Sequence, residues 1–122
     1  MNQINYKINR LGPEVIVLAM DGKESVGRLD GVIRTKNNSA IEYLLVESPY
    51  RNQGVGKNLI QLFLKECPLN STIDVTVRSI ESVPIEELEK FYLKCGFSII
   101  NKSINMQTRK NKNAHSEETC NL

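Results

Sequence analysis

The segment Arg51-Asn52-Gln53-Gly54-Val55-Gly56, with Lys57 behind it, has the residue types of an anion-binding loop. A short polar stretch leads into two glycines, and a helical apolar pattern follows them. At a helix start the first N–H groups lack intrahelical partners, and the macrodipole places partial positive charge there. Glycine lets a phosphate approach that backbone with no Cβ in the way. Arg51 and Lys57 flank the loop and add charge of the same sign. Two common phosphate loops each fail on a required residue. A Walker loop needs glycine five positions before its Gly-Lys pair, and Arg51 stands there in front of Gly56-Lys57. A dinucleotide fingerprint needs a third glycine where Leu59 stands. Upstream, Glu42 is an acidic residue inside an apolar strand-like run. On a plain alternating strand it shares a face with Leu44 and Val46. Burial there would raise its pKa into a range useful for a base, with a structural ion pair or an ordered water relay as the alternatives.

The pattern Arg51-x-x-Gly54-x-Gly56 resembles the R/Q-x-x-G-x-G/A signature of the GNAT superfamily of acyl-CoA-dependent N-acyltransferases. Two further segments are similar to that family in the right order. Ile41-Glu42-Tyr43-Leu44-Leu45-Val46 looks like the I-E-x-L-x-V strand that precedes the signature, and Phe91-Tyr92-Leu93-Lys94-Cys95-Gly96-Phe97 looks like its Y-x-x-x-G-F segment. The three matches cover residues 40–100. The resemblance implies acetyl-CoA as donor substrate, with its pyrophosphate on the loop residues Arg51, Asn52, Gln53, Gly54, Val55, Gly56 and Lys57. It also implies that Leu44, Leu45 and Val46 splay from the parallel strand at residues 73–77. Pantetheine then pairs with the freed backbone as an added strand would.

Direct transfer to an amine, as the family performs it, passes through an oxyanion adduct and expels a thiolate. A backbone N–H of residues 44–46 is the implied donor to the thioester carbonyl. Tyr92 matches the family tyrosine that protonates the thiolate, and a phenol of pKa ~10 stays protonated at neutral pH. Its alternative reading is a core aromatic, since it lies on an apolar stripe. Cys95 reads as core, because no histidine stands near it to activate the thiol. The reading that competes with the enzyme is a catalytically silent CoA-binding or protein-interaction module. A third is an RNA-directed factor, including a transferase acting on aminoacyl-tRNA.

The elements that must position these residues are legible from periodicity and turn residues. Residues 4–8 alternate as a first strand, and Gly12-Pro13 marks a turn. Residues 15–20 form an apolar strand stopped by Asp21-Gly22, a hairpin signal. Residues 26–34 return, with Gly27 and Gly31 weakening the strand or marking bulges. Asn37-Asn38-Ser39 makes a turn, and residues 41–46 give the strand before the loop. A helix follows, with Val55, Leu59, Leu62, Phe63 and Cys67 on one face and Pro68 at its end. After the strand at 73–77, Pro84 opens a second helix with Glu86 and Glu87 in its first turn. Ile85, Leu88, Phe91, Tyr92 and Cys95 form its buried stripe, and Gly96 caps it. Residues 97–100 and 104–108 are the last strands. The expected architecture is α+β, a GNAT-like mixed and mostly antiparallel sheet with a splayed parallel pair and helices on its faces. It occupies residues 1–109, and a polar tail at 110–122 is expected to be disordered.

Composition excludes several other classes. The chain has 122 residues, enough for one domain, with 40% hydrophobic and 25% charged residues. A net charge of +2, with acids interspersed among the bases, argues against a nucleic-acid binder. Cys67, Cys95 and Cys120 form no C-x-x-C pair, and His115 is the only histidine. A metal site or a Ser-His-Asp triad is therefore not expected. No signal peptide or membrane span is readable, so a cytoplasmic location is expected. Relative to the family, only residues 10–14 separate the first two strands, where two helices usually stand. That departure implies an open acceptor side suited to a protein lysine or N-terminus, with a small-molecule amine as the alternative, or a wall supplied by a second subunit in a homodimer. The asparagine often found before the tyrosine is absent too, since Ile85 and Leu88 occupy that stretch.

Overall fold

A computed structural model describes residues 3–76, 83–99 and 105–109. Seven strands form one sheet in the order β1-β2-β3-β4-β5-β7-β6. They are β1 (Asn5–Leu11), β2 (Glu14–Asp21), β3 (Glu24–Thr35), β4 (Asn38–Val46), β5 (Thr72–Thr76), β6 (Ser98–Ile99) and β7 (Asn105–Arg109). Helix α1 (Val55–Glu66) joins β4 to β5, and α2 (Ile85–Lys94) lies between β5 and β6. Every pairing is antiparallel except β4 with β5.

The first four strands form a meander because each connection is a two-residue turn. Gly12 at φ +61° turns β1 into β2, and Gly22 at φ +63° turns β2 into β3, both in the region that glycine enters without steric cost. The β1–β2 connection is thus a plain hairpin with no helix in it. The third turn falls on Lys36 and Asn37, and Asn38 and Ser39 already belong to β4. The expected turn at 37–39 is shifted because the Asn37 carbonyl accepts the Thr72 N–H at 2.8 Å, drawing the following residues into the ladder with β5.

Helix α1 covers one sheet face with Val55, Leu59, Ile60 and Phe63, all buried. Beneath it lie Val15, Val17 and Ala19 of β2, Leu29 of β3, and Ile41, Leu44 and Val46 of β4. Leu62, expected on the same stripe, is only half-buried at its flank. Gly31 explains how closely the helix sits. A Cβ at that position would stand 2.3 Å from the Phe63 ring, and one at Gly27 would stand 3.2 Å from Val55. Both glycines also sit beside register shifts, as the sequence suggested, at Ala19/Met20 and at Asp30/Gly31.

Helix α2 ends in a Schellman turn. Gly96 at φ +98° donates its N–H to the Leu93 carbonyl at 3.1 Å, and Phe97 donates to the Tyr92 carbonyl at 3.0 Å. The Phe97 ring then packs edge-on against Tyr92, with centroids 5.3 Å apart. Residues 77–82, 100–104 and 110–122, which include Val77, Ile100, Ile104, His115, Cys120 and the polar tail, lie outside the described residues.

Candidate active site at the splay of β4 and β5

The register of β4 defines an opening. It pairs with β3 as far as Val46, but with β5 only from Asn38 to Ile41, opposite Thr72 to Val75. Among the described residues, β5 offers β4 no ladder partner beyond Ile41; the chain after Thr76 lies outside them until residue 83. A bulge against β3 follows the last described pair. Tyr43 pairs with Asp30 and Ile41 with Gly31, which leaves Glu42 as an extra residue opposite neither. Among the described residues, the β5 side of β4 therefore carries no ladder partner from Glu42 to Leu45, and the Val46 carbonyl is taken by Arg51.

The bulge corrects the reading of Glu42. Simple alternation puts it on the buried face with Leu44 and Val46, but the inserted residue breaks that alternation. Glu42 is exposed, whereas Leu44 and Val46 are buried against α1 and Leu45 is half-buried on the other face. The side chains of Leu44 and Val46 belong to the core, so only their backbone groups can meet a ligand.

The C-terminal end of β4 leads into the loop. A 3-10 turn, Ser48–Tyr50, carries the chain out of β4. Its position is fixed from several sides. The Glu47 N–H donates to the Val26 carbonyl at 2.9 Å, Arg51 Nε to the Val46 carbonyl at 2.8 Å, and Gln53 Nε2 to the Pro49 carbonyl at 3.0 Å. The Tyr50 hydroxyl donates to Asp21 Oδ2 at 2.6 Å, tying the loop to the β2–β3 hairpin. Asn52 at φ +63° and Gly54 at φ +86° then turn the backbone into α1. Asparagine is among the few non-glycine residues that enter this region readily.

Gly54 is the N-cap of α1, with no side chain to block the first turn. The first intrahelical bond is Asn58 N–H to the Gly54 carbonyl at 3.0 Å, so the amides of Val55, Gly56 and Lys57 precede it. A Cβ built on Gly54 meets nothing within 4 Å, so the space outside the turn is open. Open space, unsatisfied amides and helix-terminal charge together suit a phosphate or pyrophosphate. Val55 is buried, so its amide alone faces that space. Arg51 contributes as a brace as well as a charge, which the sequence did not suggest.

Tyr92 lies in α2, buried between Phe91 and Phe97 and part of the same apolar cluster as Ile41, Leu44, Val46, Ile73 and Val75. Desolvation pushes its phenol well above the ordinary range, because an anion is disfavoured there, and nearby Cys95 adds to the effect. Cys95 is half-buried, and Cys67 donates its thiol to the Phe63 carbonyl at 3.4 Å. Among the described residues no cluster of three His, Cys, Asp or Glu could hold a metal, and no helix is long and apolar enough to cross a membrane. Sequence reasoning missed the Asp21–Tyr50 tie and the bulge. The first joins residues 29 apart and has no local signal. The second had a faint one in the glycine at 31.

Comparison with known proteins follows the same geometry. The sequence profile described as the acetyltransferase (GNAT) domain matches residues 4–109. No curated protein matches the sequence. Ard1 from Thermoplasma volcanium is similar at TM-score 0.65 and 22% identity, covering 80% of this chain and 71% of that one. An aminoglycoside 6'-N-acetyltransferase solved with coenzyme A is similar at TM-score 0.66 and 19% identity, covering 80% and 73%. PaiA N-acetyltransferase from Thermoplasma acidophilum, also with coenzyme A, gives TM-score 0.60 and 18% identity, covering 77% and 59%. At these identities the structures establish the shared fold.

Proposed function

The chain belongs to the GNAT acetyltransferase family, and from that premise we propose that it moves an acetyl group from acetyl-CoA directly to a primary amine. The observation that carries this reading is the unblocked helix start at Gly54, at the end of a strand whose described pairing with β5 stops at Ile41. Backbone groups of Leu44, Leu45 and Val46 hold the pantetheine arm. The turn from Arg51 to Lys57 holds the pyrophosphate, through the first amides of α1 and the charges of Arg51 and Lys57. An N–H of residues 44–46 polarises the thioester carbonyl, and loss of such a donor typically costs about 3–4 kcal/mol in the transition state.

Tyr92 acts as the acid. Burial keeps the phenol protonated near neutral pH. Because the same desolvation makes it a weaker donor, transfer to the thiolate depends on the thiolate's own charge being as poorly solvated there. Glu42, exposed on β4 just past its last described pair with β5, takes the amine proton directly or through ordered water. The acceptor class we assign is a protein lysine or N-terminus. With a two-residue hairpin where relatives carry helices, the acceptor side stays open to a chain that cannot be engulfed.

Titration calorimetry with coenzyme A, followed by thiol release from acetyl-CoA in the presence of peptide amines, tests the reading. Binding and acetylated peptide are expected. Failure to bind coenzyme A would sink it, and tight binding with no transfer to any peptide, polyamine or aminoglycoside would leave a CoA-binding module.

A further inference from the structure

The face of the sheet opposite α1 has an ordered surface of its own. Cross-strand register puts Asn9, Ile16, Asp30 and Tyr43 in one row there, and Lys7, Leu18, Arg28 and Leu45 in the next. Ile16, Leu18 and Leu45 are half-buried, Tyr43 is 40% exposed, and none of the four joins the apolar cluster beneath α1. At the centre, Arg28 Nε and Asp30 Oδ1 stand 2.6 Å apart, with side chains 46% and 31% exposed. Among the described residues no helix covers these two rows.

We propose that this face is a homodimer interface, packed against the same face of a second copy with the strands of the two sheets antiparallel. The pattern of charge selects that occupant. Consider a twofold axis between the sheets, perpendicular to the strands and passing between residues 28 and 30. It sets Arg28 against the partner's Asp30 and Asp30 against the partner's Arg28. The same operation puts Leu18 on the partner's Ile16, and Leu45 on the partner's Tyr43. Four charges then alternate in sign at the centre, with apolar pairs on both flanks, as an isologous contact requires. An axis parallel to the strands would oppose Arg28 to Arg28. A lipid surface would strand both charges in an apolar medium. Four strands at about 4.8 Å spacing over roughly seven residues give a flat footprint on the order of 450 Å² per copy. Side-chain relief raises that toward the ~800 Å² per partner of a specific interface.

Sedimentation equilibrium of the full chain at about 100 μM, a concentration that populates complexes of micromolar or tighter Kd, should give twice the 13.8 kDa chain mass. Arg28→Asp and Asp30→Arg should each sediment as monomers, because each opposes like charges across the axis. Mixed in equal amounts, the two variants should return to the dimer mass, although neither retains the pair within its own chain. Circular dichroism checks their fold, and Leu18→Glu is a second disrupting variant on the same face. A monomeric wild type, a dimer that survives all three substitutions, or a mixture that stays monomeric would each overturn the proposal. None of these readouts depends on acetyl transfer.

Discussion

Tyr92 and Gly54 show how local environment decides what a single side chain can do. Burial keeps the Tyr92 phenol protonated, so the group can donate a proton but cannot serve as a base near neutral pH. Tyr92→Phe should lower kcat by up to ~100-fold, the low end of general acid catalysis, with little change in the affinity for acetyl-CoA. The same shift makes a stability statement. The folded pKa is raised above the unfolded value, so the stabilisation is complete below about pH 10 and is lost as pH rises toward the folded value. Denaturant titrations above pH 10 should show wild-type stability falling faster than that of Tyr92→Phe by about 1.4 kcal/mol per pH unit. Equal slopes would mean that the phenol is not desolvated. At Gly54 the φ of +86° makes any side chain costly, by about 1–2 kcal/mol. Gly54→Asp adds a carboxylate beside the anion site, and should abolish coenzyme A binding in calorimetry while the far-UV spectrum stays native. The loop glycines were readable from sequence because glycine spacing is local. The exposure of Glu42 was not, because it depends on where β3 places its partners.

At the scale of elements, the contact between α1 and β3 sets how tightly the helix lies on the sheet. Gly31→Ala drives a Cβ into the Phe63 ring at 2.3 Å, and that ring is fully buried. Overpacking of this kind should cost about 1–3 kcal/mol in urea unfolding. Phe63→Leu in the same chain should recover part of the loss, and a neutral Gly31→Ala would show that the helix can lift off. The sequence marked Gly31 as a weak point of a strand, yet the partner ring is 32 positions away and only the packed structure reveals it. Helix α2 was more legible. Pro84, the two glutamates after it and Gly96 are local start and stop signals, and the structure uses all of them. The Schellman turn adds the reason Phe97 follows: its ring seals the helix end against Tyr92.

For the whole molecule, acetyl-CoA should act as a stabilising ligand, since the site is assembled only when β4, the loop and α1 are folded. At about 100 times its Kd the expected gain is ~2.7 kcal/mol in wild type. Gly54→Asp should show none, and thermal melts with and without ligand check both. Amino-acid order by itself determined the succession of strands and helices, the glycine loop and the absence of helices between β1 and β2. Each rests on periodicity, turn chemistry or spacing, which act over a few residues. Tertiary structure alone decided that Glu42 is the bulged residue, that Arg51 and Tyr50 brace the loop, and that no described helix covers the opposite sheet face. Those features come from register and packing between segments distant in the chain. Their energies depend on which partners meet, and no local sequence pattern specifies that.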